Sequence, residues 1–193
     1  MQPFEYSLVL TSILVSLALA NIVMCFHRLL RNARRVTWDG RVLIAAALVI
    51  VEIVRLWFAT WTVRDVTQVE TFSVYLGIFV QILLLVLLGA SALPEEVGET
   101  CDLGAFYDGN RRYFWGVFAL YQLSYFLMGF FVFGVQQGVS GGTVDAFDLF
   151  RMLAPLAIYV VLTFARVKPL DYLLPLAVIV FYLVRYWNQA LVA

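Results

Sequence analysis

Residues 42–63 read VLIAAALVIVEIVRLWFATWTV, an apolar stretch interrupted by Glu52 and Arg55. A run of about 20 predominantly apolar residues matches a hydrocarbon core about 30 Å thick. A charged side chain in that core is costly unless it is paired, and it is usually kept for a reason. The stretch therefore predicts a transmembrane helix that carries a polar site.

The rest of the chain has the same character. Of its 193 residues, 63% are hydrophobic and 13% are charged, whereas soluble domains average about 45–50% apolar and about 25% charged residues. Helices are expected because a helix satisfies its own backbone groups in lipid. We predict an all-α, polytopic membrane bundle of six transmembrane helices, forming a single domain over residues 1–193. The other five predicted spans are residues 6–26, 71–94, 113–135, 147–165 and 169–189.

The basic residues orient this bundle. Nine of the thirteen Lys and Arg residues fall on one side of it, and an excess of Lys and Arg marks the cytoplasmic side. Both termini are therefore predicted on the non-cytoplasmic side, and Cys25 and Cys101 are predicted to be reduced thiols at the cytoplasmic end. The nine residues are Arg28, Arg31, Arg34, Arg35, Arg41, Arg111, Arg112, Arg166 and Lys168.

The predicted cytoplasmic loop over residues 95–112 is acidic. One interpretation is that it complements the basic first loop and orders that face of the protein. The other is that it collects cations or docks a partner.

Several polar side chains are predicted to lie at similar depth in the membrane. At about 1.5 Å per helical residue, Glu52 lies about 16 Å from Arg41, near the midplane. Arg55, three residues further on, shares a helix face with Glu52 and can pair with it. These residues form a predicted polar site at the midplane, which could serve in conduction. The site consists of Glu52, Arg55, Gln81, Gln122, Tyr125 and Arg185.

A structural role for the same residues stays open. Gln and Tyr within membranes often act as interhelical hydrogen-bond glue, worth about 0.6 kcal/mol on average. The Glu52–Arg55 pair would then be a neutralised packing element. Arg185 lies further out than Arg55 and is also compatible with a side chain that reaches the outer surface.

Other classes of function have no support in the sequence. Two cysteines and one histidine are too few for a convincing metal site, and a lone histidine argues against a haem-carrying subunit. No basic run with interleaved aromatics indicates nucleic-acid binding, and the motifs of soluble-type catalysis are absent. We expect neither enzymatic activity nor a cofactor.

Three segments carry a resemblance. They are the opening FEYS with the later ALA and RLLR, the WDGR before the second span, and LPEE with DLGAFYDGNRRYF before the fourth. Over roughly the first 125 residues the chain resembles a group of small multi-pass bacterial membrane proteins of unknown function. The resemblance implies a multi-pass protein of the bacterial inner membrane, and it implies no functional residue.

Two functions follow as hypotheses. The first is a homo-oligomeric channel or transporter that uses the midplane site. The second is a non-catalytic accessory or scaffold subunit of a larger membrane complex. Membrane lipids, further copies of the chain or a membrane protein are the expected partners, and a lipid-handling role through the aromatic fourth span is a further alternative.

Overall fold

Six helices make up most of the part of the chain that the structure describes. The computed structural model describes the backbone of residues 3–62, 72–140 and 146–187, and the side chains of residues 9–59, 74–130, 150 and 153–187. The predicted fold class is thus confirmed as all-α with six helices. The helices are α1 (Pro3–Arg31), α2 (Gly40–Thr62), α3 (Phe72–Ser91), α4 (Leu103–Ser140), α5 (Ala146–Phe164) and α6 (Lys168–Tyr186).

Four of these helices, α1, α2, α3 and α6, are long and apolar enough to cross a membrane. The chain therefore has the build of a multi-pass membrane bundle. Helix α5 contributes a shorter apolar segment, Leu153–Phe164. A six-span topology goes beyond these four helices and stays a prediction.

The helices pack in a consistent order. The most extensive contacts join α1 to α3, α3 to α4, α4 to α5, and α2 to α6. Side chains from successive helices meet in one apolar core within the described part of the chain, with Leu29, Leu48, Leu85, Phe118 and Leu162 entirely buried. Large apolar side chains such as Leu17 and Val184 face outward, as expected of helices surrounded by lipid.

Most of the charged residues lie at one end of the bundle, which we call the basic end. The C-termini of α1, α3 and α5 meet the N-termini of α2, α4 and α6 there. Arg28 donates a hydrogen bond to the backbone oxygen of Glu95 (2.9 Å), which ties the end of α1 to the segment after α3. Arg64 and Arg151, which are predicted on the opposite side, lie outside the described side chains.

A short parallel strand pair, absent from the sequence prediction, orders the basic end. Strand β1 (Val36–Thr37) follows α1, and strand β2 (Cys101–Asp102) precedes α4. Val36 pairs with Cys101 and Thr37 with Asp102. The acidic segment is thereby fixed against the basic first loop through backbone hydrogen bonds.

Helix α4 begins ten residues before the predicted span at residue 113, within the segment predicted as a loop. Asp102 explains the difference. Its Oδ1 accepts hydrogen bonds from the backbone N–H groups of Gly104 (2.8 Å) and Ala105 (3.2 Å), which satisfies two donors of the first turn. Hydropathy cannot reveal this extension because the first turns of α4 are polar. The helix also continues through Ser140, five residues beyond the predicted end of the span at residue 135.

Candidate functional site

Glu52 and Arg55 form a buried ion pair halfway along α2. The Glu52 side chain has no exposed surface, and Arg55 is 5% exposed. Arg55 Nε donates to Glu52 Oε2 at 2.6 Å. The two residues lie about one helical turn apart on α2, so their side chains can meet, as the three-residue spacing predicts.

Tyrosines from three other helices surround the pair. Tyr159 of α5 donates a hydrogen bond to Glu52 Oε1 at 3.2 Å. The Arg55 guanidinium lies over the ring of Tyr125 of α4, 4.1 Å from its centroid, and over that of Tyr182 of α6 at 5.0 Å. Cation–π contacts of this kind are worth about 2 kcal/mol or more when desolvated.

Tyr121 of α4 is also fully buried and interacts electrostatically with both charges. Side chains from four helices therefore converge on one point. We call this set the Glu52–Arg55 cluster, and it consists of Glu52, Arg55, Tyr121, Tyr125, Tyr159 and Tyr182.

Three polar atoms of this cluster are buried without a partner in full hydrogen-bond geometry. They are Arg55 Nη2 and the hydroxyl oxygens of Tyr121 and Tyr182. The Tyr121 hydroxyl does contact Arg55, and the Tyr182 hydroxyl contacts Tyr159. The cluster is therefore a connected polar network around a charged pair, and some of its hydrogen bonds are poorly aligned.

The other residues of the predicted midplane site are placed differently. Gln81 of α3 and Gln122 of α4 are buried, and the Gln81 Nε2 has no hydrogen-bond partner. Arg185 is exposed, with its guanidinium 5.6 Å from the ring centroid of Tyr186. This placement agrees with the interpretation in which Arg185 reaches the surface.

Sequence reasoning did not place Tyr121, Tyr159 or Tyr182 in the site. The available signal was a tyrosine hydroxyl deep within an apolar span, since a buried Tyr O–H usually finds a polar partner. Tyr159 and Tyr182 each lie well inside an apolar helix and meet that criterion.

A second polar constellation lies at the basic end, centred on Arg41 at the start of α2. Arg41 Nη2 pairs with Asp39 Oδ2 at 2.7 Å, and its Nη1 pairs with Asp108 Oδ1 at 2.8 Å. The guanidinium lies 4.8 Å from the ring centroid of Tyr107. Arg41 thus joins the start of α2 to the start of α4.

Arg111 and Asp171 form a further pair that joins α4 to α6. Arg111 Nη2 lies 2.9 Å from Asp171 Oδ1, and Asp171 Oδ2 lies 4.0 Å from Arg41 Nη1. The side chains of Tyr107 and Arg111 both hydrogen-bond to the Asp171 carboxylate, whereas Arg111 Nε has no hydrogen-bond partner. The side chains of Arg111 and Asp171 are both more than nine-tenths buried.

A cavity of about 430 Å³ opens beside these residues, and we call it the basic cavity. Gly109, Thr163, Asp108 and Asp171 contribute to its wall. Its cationic lining consists of Arg41, Arg111, Arg112, Arg166 and Lys168.

The surroundings of Arg41 shift the pKa of two neighbouring groups, Asp39 and Tyr107. The hydrogen bonds that the Arg41 side chain donates to Asp39 lower the pKa of that carboxyl group, against the opposing effect of its burial. Burial raises the pKa of Tyr107 to about 12, while the hydrogen bond from Trp115 Nε1 to its hydroxyl (3.0 Å) acts in the opposite direction. Both groups keep their ordinary charge at neutral pH.

The fold and these two sites define the class of protein. It is a multi-pass integral membrane protein in which four membrane-length apolar helices belong to a six-helix bundle. No family model, no curated protein and no solved structure matches the chain.

Proposed function

We propose that the protein is a small, non-enzymatic membrane transporter in which the Glu52–Arg55 cluster is the site that a proton or small ion occupies during transport. The observation that carries the proposal is the fully buried Glu52–Arg55 ion pair, which is surrounded by tyrosines of three other helices. Ionisable residues inside membrane bundles are rare and commonly mark ion pathways or proton relays.

A transporter fits the cluster better than an open channel does. Glu52 is entirely buried, and the residues that line the basic cavity include none of the cluster. Since the described side chains cover Glu52 completely, we infer that a movement of the helices admits the ion. Alternating access by rocking of packed helices is the usual way in which membrane transporters expose a central site.

Glu52 is the group we assign to proton uptake. Protonation of its carboxylate would remove the negative partner of Arg55 and leave the guanidinium free to bind an anion. Release of the proton would restore the 2.6 Å pair. The two states differ by one charge at the centre of the bundle, and such a difference can bias two helix arrangements.

Flux into liposomes tests this proposal. Purified protein should carry protons, or anions together with protons, across a liposome membrane, and Glu52→Gln should reduce the rate to background. Arg185→Gln is the matched control, because Arg185 is exposed and lies outside the cluster. Equal flux in the Glu52→Gln variant and the unaltered protein would remove Glu52 from the mechanism.

An accessory or scaffold subunit of a larger membrane complex is the second candidate, and one observation favours it. Both carboxylate oxygens of Glu52 have partners in the same chain, Arg55 and Tyr159. A purely structural pair needs no more than that. A protein that shows no flux and co-purifies with a membrane partner in mild detergent would support this candidate.

We also propose a location in the bacterial inner membrane, six spans, both termini outside the cytoplasm and assembly into a homo-oligomer. The concentration of Arg and Lys at the basic end supports the orientation. The exposed apolar side chains of α1, such as Ile13 and Leu17, offer a surface to lipid or to a second copy. A reporter fused to the C-terminus tests the orientation, and mass measurement in mild detergent tests the assembly.

A further inference from the structure

The basic cavity at the end of the bundle has no part in the proposed transport site. Helices α2, α4, α5 and α6 each contribute to its wall, which includes Arg41, Arg111, Thr163 and Asp171. Its volume of about 430 Å³ falls within the range of roughly 300–1,000 Å³ that is typical of small-ligand sites.

The charges of the cavity favour an anion. Five cationic side chains line it against two carboxylates, which leaves a formal surplus of positive charge. Arg41 is already engaged by Asp39 and Asp108. Arg111 is engaged by Asp171. The remaining cations of the lining, Arg112, Arg166 and Lys168, are exposed.

Arg111 supplies an independent indication of a ligand. Its side chain is 8% exposed and its Nη2 lies 2.9 Å from Asp171 Oδ1, yet its Nε has no hydrogen-bond partner. A buried donor left unused is costly, and the planar array of guanidinium N–H groups matches the oxygens of a phosphate group. A phosphate oxygen in the cavity could accept the hydrogen bond from Nε.

We propose that the basic cavity is a binding site for a phosphate-bearing anion. Arg111 holds the phosphate from the buried side, and Arg166 and Lys168 close over it from the end of α5 and the start of α6. Asp171 positions Arg111 through the 2.9 Å contact. The phosphate belongs either to a phospholipid headgroup or to a soluble phosphate compound, since basic pockets between helices at a membrane surface bind headgroups.

Gly109 offers a way to oppose anion binding in the cavity without disturbing its walls. A Cβ atom added at Gly109 would have no heavy atom within 4 Å, and the residue lines the cavity. Gly109→Glu would therefore add a carboxylate at the wall of the cavity, where its charge would oppose the binding of an anion. The buried Arg111–Asp171 pair would stay intact in this variant.

Binding to protein purified in an uncharged detergent tests the proposal, and it requires no transport activity. Two probes are titrated separately by calorimetry, phosphatidylglycerol in mixed micelles and inorganic pyrophosphate. The Arg166→Gln/Lys168→Gln variant should bind at least about tenfold more weakly, because charge-assisted hydrogen bonds of about 1.5–3 kcal/mol are lost. Gly109→Glu should also weaken binding.

The matched control is Arg34→Gln/Arg35→Gln. It removes the same charge from two exposed arginines of the basic end that do not line the cavity, and it should leave the affinity within about twofold of the original. Binding of phosphatidylglycerol alone would assign the site to a lipid headgroup, and binding of pyrophosphate as well would assign it to soluble phosphates. The proposal is overturned if neither probe binds the unaltered protein, or if the control variant loses affinity as much as Arg166→Gln/Lys168→Gln does.

Discussion

At the scale of single residues, one buried charged pair is the feature whose loss should most affect the stability of the bundle. Glu52 and Arg55 are both buried and lie 2.6 Å apart. The pairing could be predicted because it depends only on spacing within one helix. The tyrosines around the pair could not be predicted in the same way. The rotation of α4, α5 and α6 about their own axes determines which tyrosines face α2, and hydropathy does not encode that rotation.

Arg55→Leu should destabilise the fold. Removing one partner of a buried ion pair typically costs about 3–5 kcal/mol because the remaining charge is uncompensated. The double variant Glu52→Leu/Arg55→Leu should recover much of this loss. Unfolding by denaturant in micelles measures the stability of both variants, and Arg185→Leu is the control at an exposed site. A double variant as unstable as Arg55→Leu alone would show that the two charges do not stabilise each other.

Asp39 should make stability depend on acid pH. Hydrogen bonds from Arg41 lower the pKa of Asp39 in the folded protein, below its ordinary value of about 3.9. The ionised group therefore stabilises the fold above that ordinary value, and the contribution is lost as the pH falls through the lowered folded pKa.

Unfolding measured as a function of pH checks this expectation. Asp39→Asn should be less stable than the original protein at pH 7, and the difference should shrink in strong acid. Glu99→Gln, which alters an exposed carboxylate of the acidic segment, should leave the difference between neutral and acid pH unchanged. A constant deficit of Asp39→Asn at every pH would contradict the assignment.

At the scale of the elements, the ends of the predicted spans and of the observed helices agree to within about three residues for α2, α3, α5 and α6 and to within about five for α1, because apolar runs end where polar segments begin. Helix α4 is the exception. Its first turns are stabilised by Asp102 and by the strand pair β1–β2. These local backbone contacts lie outside what a count of apolar residues can detect.

The packing of α1 against α3 depends on Gly89. A Cβ atom there would lie 3.1 Å from the backbone oxygen of Ala18 and 3.3 Å from its Cβ. Small residues allow membrane helices to approach closely. Gly89→Leu should therefore cost about 1–3 kcal/mol through overpacking, measured by denaturant unfolding in micelles.

Gly116→Ala is the matched control for Gly89. A Cβ atom at Gly116 of α4 meets no heavy atom within 4 Å. Alanine there should be neutral, or stabilising by up to about 1 kcal/mol through its higher helix propensity. Tolerance of leucine at Gly89 would mean that α1 and α3 do not approach as closely as described.

At the scale of the whole molecule, two polar sites lie at different depths of one apolar bundle. Composition predicted the class of the protein, and the spread of basic residues predicted the basic end. The basic cavity was not predicted, because it depends on residues far apart in sequence, Arg111 and Asp171, meeting across α4 and α6. The two sites can be tested separately, since flux reports on the first and anion binding on the second.

The central claim is that the Glu52–Arg55 cluster acts in transport and is not merely structural. The most direct test is the rate of proton or anion flux through Glu52→Leu/Arg55→Leu after reconstitution, because this variant should remain folded while it lacks both charges. We expect a folded protein whose flux equals the background of empty liposomes. Flux equal to that of the unaltered protein would contradict the claim.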